Sequence, residues 1–151
     1  MGILSHTDIN EASLLSFGRP RLFVGITSGN LDSMVSNYTA SQKKRRTDDL
    51  SFTDSETKRP DRPVIVYTNL VKRIWKDVPI VLGGIEASLR RFAHYDWWQD
   101  KVRHSILLDS KADFIFFGMA EKTLTEAAEH FSYPDWRERV ARVSGVAYTL
   151  T

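Results

Sequence analysis

Apolar positions along this chain fall into two patterns. Some form short continuous runs that end in small or polar residues: "RLFVGITSGN", "VPIVLGG", "ADFIFFGM" and "GVAYTL". Others recur at helical spacing. A run of that length with apolar residues at every position reads as a strand covered on both faces, and the i, i+3, i+4 spacing reads as an amphipathic helix. The chain accordingly predicts a short helix over residues 8–17, capped by Asp8 or Asn10, then a strand from Arg21 to Ile26. A helix starts in "NLDSMVSNYTAS", with Asn30 as the expected N-cap and Asp32 in the first turn, where a carboxylate suits the helix dipole. "PDRPVIVYTNLVKRIWKD" has strand propensity from Val64 to Tyr67. Yet Val64, Tyr67, Leu70, Val71, Ile74 and Trp75 repeat at helical spacing behind Pro63, which favours a helix.

The pattern continues with the strand "VPIVLGG" and a helix after its Gly-Gly pair. "DWWQDKVRHSILLDS" is expected to be helical from about Asp96. A strand in "ADFIFFGM", a helix in "AEKTLTEAAEHF", further helical turns in "YPDWRERVARV" and a last strand in "GVAYTL" follow. Strands and helices alternate, and the fold class is α/β: a doubly wound, mostly parallel sheet, Rossmann-like or cobalamin-binding-domain-like. Only about four strands are visible, so the sheet is expected to be incomplete, a slice of a larger domain. Residues 1–16 read as an amino-terminal segment with a short helix, and 17–151 as the α/β domain.

At 151 residues the chain is the size of one domain, and 42% hydrophobic with 26% charged residues is ordinary globular composition. A net charge of +2 is too small to argue for nucleic acid. Residues 41–60 form a polar stretch that reads as an exposed loop, and its "KKRR" is either a phosphate or nucleic-acid patch or a solvated run offset by Asp48, Asp49, Asp54 and Glu56. The absence of cysteine excludes disulfides, thiolate metal sites and cysteine nucleophiles supplied by these residues. With no leader-like start and no apolar run near the ~20 residues of a membrane span, a cytoplasmic protein is expected.

Ligands of open α/β sheets gather beyond the carboxyl ends of the strands. Three such ends are present: "GITSGNLDS", "LGGIEASLRR" and "FFGMAEKT". None carries the dinucleotide fingerprint or the phosphate-loop pattern. Each has a carboxylate near the helix start, Asp32, Glu86 and Glu121, which competes with a phosphate for the same positive end. Each turn is either a binding loop or one in which glycine relieves strain and the carboxylate caps the helix. Glu86 and Arg90 are spaced as a surface ion pair, and Arg91 either reaches a ligand or another domain or is, with Arg90, simply a solvated arginine. "HYDWW" is either a stacking platform or core. His94 and His104 lack partners at metal spacing, and no nucleophile–histidine–acid set is legible from order alone, although Ser28 and His94 are present.

The blocks "GNLDSMVSNYTA", "RPDRPVIVYTNL" and "VPIVLGGIEASLRRFAHYDWW" resemble the amino-terminal region of YgiQ-type radical SAM proteins, a similarity that extends from about Phe17 onwards. The resemblance implies an amino-terminal cobalamin-binding-like domain ahead of a radical SAM barrel. The barrel is expected to hold a [4Fe–4S] cluster on a CxxxCxxC motif and to cleave S-adenosylmethionine. It also implies a first strand and turn upstream of Phe17. The stretch Asp-x-His-x-x-Gly is not present, so cobalamin binding is unsupported. On this resemblance the chain is an accessory domain that helps to enclose an unknown small-molecule substrate and is not catalytic alone; its partner is the barrel of the same parent chain. The candidate ligand-binding residues are Thr27, Ser28, Asn30, Gly83, Gly84, Glu86, Ser88 and Arg91. No catalytic residue, metal ligand or cofactor is assigned within these 151 residues, and membrane and nucleic-acid partners are not expected. The alternatives are a stand-alone small-molecule binding module and, behind it, a nucleic-acid-associated domain using "KKRR" and the tryptophans.

Overall fold

A computed structural model describes residues 2–6, 8–45 and 59–150. Its elements in chain order are α1 (Glu11–Ser16), β1 (Val24–Thr27), α2 (Ser33–Asn37), α3 (Pro63–Ile74), β2 (Ile80–Gly83) and α4 (Gly84–Leu89). Then come β3 (His94–Asp96), β4 (Lys101–Arg103), α5 (Ile106–Ser110), β5 (Phe114–Phe116), α6 (Glu121–His130), α7 (Trp136–Ala141) and β6 (Val146–Ala147). The main sheet has the order β1-β2-β5-β6. Its first three strands are parallel, Val24 opposite Ile80 and Val81 opposite Phe114, and β6 runs antiparallel to β5. The fold is therefore α/β with a mixed, mostly parallel open sheet, an incomplete Rossmann-like arrangement.

The continuous apolar runs are explained by helices on both faces. Ile80 and Leu82 of β2, with Ile115 of β5, join Val64, Tyr67, Val71 and Trp75 of the α3 segment and Ile106 and Leu107 of α5 in one core. The alternate residues Val81, Phe114 and Phe116 face Ala127, Phe131 and Val140 of the α6–α7 layer. The period of two along each strand thus feeds two cores, each side chain such as Ile80 or Phe114 contributing roughly 1.5–3 kcal/mol by leaving water. Pro63 stands in the first turn of α3, which settles that segment as helix. No helix among the described residues is long and apolar enough to cross a membrane.

Two local expectations are corrected. The stretch from Asp96 is not helical: β3 and β4 form an antiparallel hairpin, and the helix begins only at Ile106. Asp96 Oδ1 accepts the N–H groups of Trp98 and Gln99, and Asp100 takes a φ of 48°, so the carboxylate side chain turns the backbone before a helix can start. The N-cap of α2 is Asp32, whose Oδ1 accepts from Met34 and Val35, rather than Asn30. Asn10 caps α1, accepting from Ser13 N–H, one of the two residues expected there. Of the polar stretch 41–60, residues 46–58 lie outside the described residues; Lys43, Lys44 and Arg45 are exposed.

Candidate functional site

Because β1, β2 and β5 are adjacent and parallel, their three outgoing turns meet at one edge of the sheet. The tightest approach is between the first two. Gly84 has a φ of 80°, and a Cβ there would stand 2.3 Å from Thr27 Oγ1 and 3.0 Å from the Gly29 carbonyl oxygen. Only glycine fits both the backbone angle and the space. Thr27 Oγ1 in turn accepts the Gly29 N–H at 3.0 Å, holding the β1 turn against the Gly-Gly turn. Ser88 joins the third turn: its Oγ donates to the Gly84 carbonyl at 2.8 Å and accepts the Gly118 N–H at 3.2 Å. Thr27, Gly84, Ser88 and Gly118 therefore form one polar seam across the edge. Gly118 was not singled out in the sequence; the phenylalanine run before it was the visible signal.

The other candidates separate into exposed and inward residues. Asn30 is exposed, Gly83 is half-buried in extended conformation, and Ser28 is buried with its Oγ donating to the Leu31 carbonyl. Arg91 is half-buried. Its guanidinium donates to the Ser88 carbonyl and lies 4.8 Å and 5.0 Å from the ring centres of Phe92 and Phe117. Glu86 is wholly buried, and no surface pair with Arg90 forms. Its Oε2 accepts the Ser33 N–H at 3.1 Å, while Oε1 has no hydrogen-bond partner among the described residues. Burial pushes the Glu86 carboxyl above the ordinary glutamate range, against the lowering pull of its Ser33 hydrogen bonds. Arg90 reaches instead across to Asp32, and two of its nitrogens contact that carboxylate. Burial lowers the Arg90 pKa, with Asp96 nearby acting in the opposite direction.

These carboxylates decide what the edge can bind. The first amides of α2 are already taken, Ser33 by Glu86 and Met34 and Val35 by Asp32. A phosphate finds no free donor among these first amides, which disfavours anion binding at the start of α2. The turns and helices that carry the seam also expose apolar side chains, Leu31, Val35, Ile85, Leu89, Phe92 and Met119, the last at 87% exposure, beside the exposed polar Thr27, Asn30, Glu121 and Lys122. Helix α4 is inverted, exposing Ile85 and Leu89 while burying Glu86 and Ala87.

Farther from the seam, Asp96 ties the hairpin down. It pairs with Arg62 and stands 4.0 Å from Arg103, which also holds Asp109. Burial raises the Asp96 pKa, but the Gln99 N–H, Arg62 and the Trp98 N–H outweigh it and leave it below the usual aspartate range. Trp98 packs on Tyr38 with ring centres 4.1 Å apart, and Trp97 meets Trp98 edge-on. Trp98 is thus packed against Tyr38 within the domain, while Trp97 is half-buried and Tyr95 stays exposed. Arg45 Nε donates to the carbonyls of Val35 and Tyr38. No group of three potential ligands among His, Asp and Glu could hold a metal among the described residues.

The family model described as "Radical SAM N-terminal" matches residues 1–151. A UPF0313 protein of Thermotoga neapolitana is 56% identical over 149 residues, 98% of this chain and 26% of that protein. The UPF0313 protein YgiQ of Salmonella typhimurium is 46% identical over 148 residues, 97% of this chain and 20% of its own. A UPF0313 protein of Vibrio vulnificus is 48% identical over 141 residues, covering 93% and 18%. The chain thus spans about a quarter or less of the curated relatives it matches. No solved structure matches it.

Proposed function

We propose a function from one premise: the chain belongs to the radical SAM N-terminal family. Its role is that of an accessory α/β domain in a longer radical SAM polypeptide, set over the mouth of the barrel to help enclose a small-molecule substrate. The observation that supports this reading is the apolar rim of Leu31, Val35, Ile85, Leu89, Phe92 and Met119 around the polar seam at the carboxyl edge. An exposed apolar patch with a polar centre is the composition of a surface that meets another protein part around a ligand. Thr27, Asn30, Gly83, Gly84, Ser88 and Arg91 supply the ligand side, while Ser28 and Glu86 brace the loops from behind. The reading carries with it a cytoplasmic location and no membrane partner.

The [4Fe–4S] cluster and S-adenosylmethionine belong to the remainder of the parent. Cluster irons are held by thiolates, and none of the 151 residues is cysteine. The donor set of this chain does not fit a cluster, so no chemical step is assigned to it.

The test uses the full-length parent polypeptide. Leu89→Asp combined with Phe92→Asp is expected to loosen the domain from the barrel. Losing two apolar contacts of roughly 1.5–3 kcal/mol each lowers the docking equilibrium constant about a hundredfold or more. The readouts are new protease cleavage between the two parts and lower substrate turnover. Unchanged cleavage and unchanged turnover refute the reading. Arg91→Ala reports on the ligand role separately, through turnover with docking retained.

A further inference from the structure

The main sheet has one open side. β1 is its edge strand and pairs only with β2. Val24 N–H donates to the Pro79 carbonyl, which fixes Val24 and Ile26 as the residues whose backbone groups face β2. By the alternation of a parallel ladder, the N–H and C=O groups of Gly25 and Thr27 face outward. Among the described residues no backbone group pairs with them. This is an unusual place for an open edge. Ile26 of β1 is buried in the α3 core, and Phe23 just before the strand stacks on Phe131 of the opposite layer at 4.6 Å. The segment thus sends side chains into the cores on both faces of the sheet while its outer edge stays unpaired among the described residues.

Natural sheet edges are blunted by charge, proline or bulges. β1, "VGIT", is short at four residues but carries none of these three. Its outward residue is Gly25, which is exposed, and a Cβ built there would meet only the Phe23 ring, at 3.9 Å. Glycine within a strand marks a place where another chain segment comes close. We propose that the outer edge of β1 is a seat for a further β-strand, supplied by the part of the family's longer polypeptide outside residues 1–151. The relatives have the length for it, since this chain matches about a quarter or less of each. The incoming strand is apolar on both faces, because it extends the α3 core past Ile26 and the second core past Phe23. Its side chain opposite Gly25 is bulky and fills the space the glycine leaves.

This inference rests on family membership and on the edge itself, not on the carboxyl rim, so it stands or falls apart from substrate enclosure. The test is residue-resolved amide hydrogen exchange in the full-length Thermotoga neapolitana relative, on the strand that matches Val24–Thr27. Alternate amides of that strand are expected to be protected alike. In the 151-residue chain, Gly25 and Thr27 are expected to exchange roughly a hundredfold faster than Val24 and Ile26, as unpaired edge groups do. Fast exchange at alternate positions of the full-length relative overturns the proposal. Sedimentation of the 151-residue chain as a dimer, with its own β1 edge protected, overturns it in favour of a second copy.

Discussion

The buried carboxyl of Glu86 makes a prediction whose sign can be worked from the structure. Glu86→Ala removes the acceptor of the Ser33 N–H inside the protein. An orphaned buried donor costs about 1–3 kcal/mol, and the space left by the side chain adds to it, for a loss of roughly 2–4 kcal/mol. Glu86→Gln keeps the volume and an acceptor oxygen for Ser33 but removes the charge. The folded carboxyl titrates above its ordinary value of 4.5, chiefly because burial disfavours the ion. A raised carboxyl pKa gives a contribution fully present below the unfolded value and lost as pH rises through the folded one. The wild type should therefore lose stability relative to Glu86→Gln as pH rises from 4.5, while the two remain close below it. Urea unfolding followed by tryptophan fluorescence reads this, since Trp75 is buried in the α3 core. A wild type that gains on the Gln variant as pH rises would refute the reasoning. It would mean that the hydrogen bonds from Ser33 outweigh the burial.

Other predictions follow from single contacts. Gly84→Ala places a Cβ 2.3 Å from Thr27 Oγ1 at a φ of 80° and should cost about 1–3 kcal/mol in chemical denaturation, as strained left-handed positions do. Leu89→Lys should change the stability of the 151-residue chain by no more than about 0.5 kcal/mol, because its side chain is exposed. Ala87→Asp, one turn position away and fully buried, should instead unfold much of the population on a circular dichroism melt. Asp96→Asn weakens the tie to Arg62. The folded aspartate titrates below 3.8, so its stabilising share is present above that pH and lost as pH falls; the variant's deficit should shrink in acid when melting temperatures are compared.

Periodicity made the sheet and its covering helices legible. The apolar runs around Ile80 and Phe114 each feed two cores, and the helical spacing from Val64 to Trp75 won over strand propensity because Pro63 seats in a first turn. The hairpin was hidden because its turn is written in one side chain, Asp96, rather than in a glycine. Asp32 displaced Asn30 as cap because two amides converge on its carboxylate, a detail of a single residue's placement. The seam of Thr27, Gly84 and Ser88 was foreseeable from three turns on one edge. The inward turn of Glu86 was not, since a glutamate at a helix start reads as solvated until the facing helix, here α2, is known.

The register of β1 on β2 also bears on the order in which this chain folds. Val24 meets Ile80 only after α2, α3 and everything between them has been gathered in, whereas β2, α4, the hairpin, α5 and β5 follow one another closely. Closing the longer span forfeits more chain entropy before any contact compensates it. The segment from Pro79 to Phe116 is therefore expected to form first and β1 to join late, with the Gly84–Thr27 contact as its latch. Substitutions at Thr27, the late-joining side of that latch, should speed unfolding and leave the refolding rate nearly untouched.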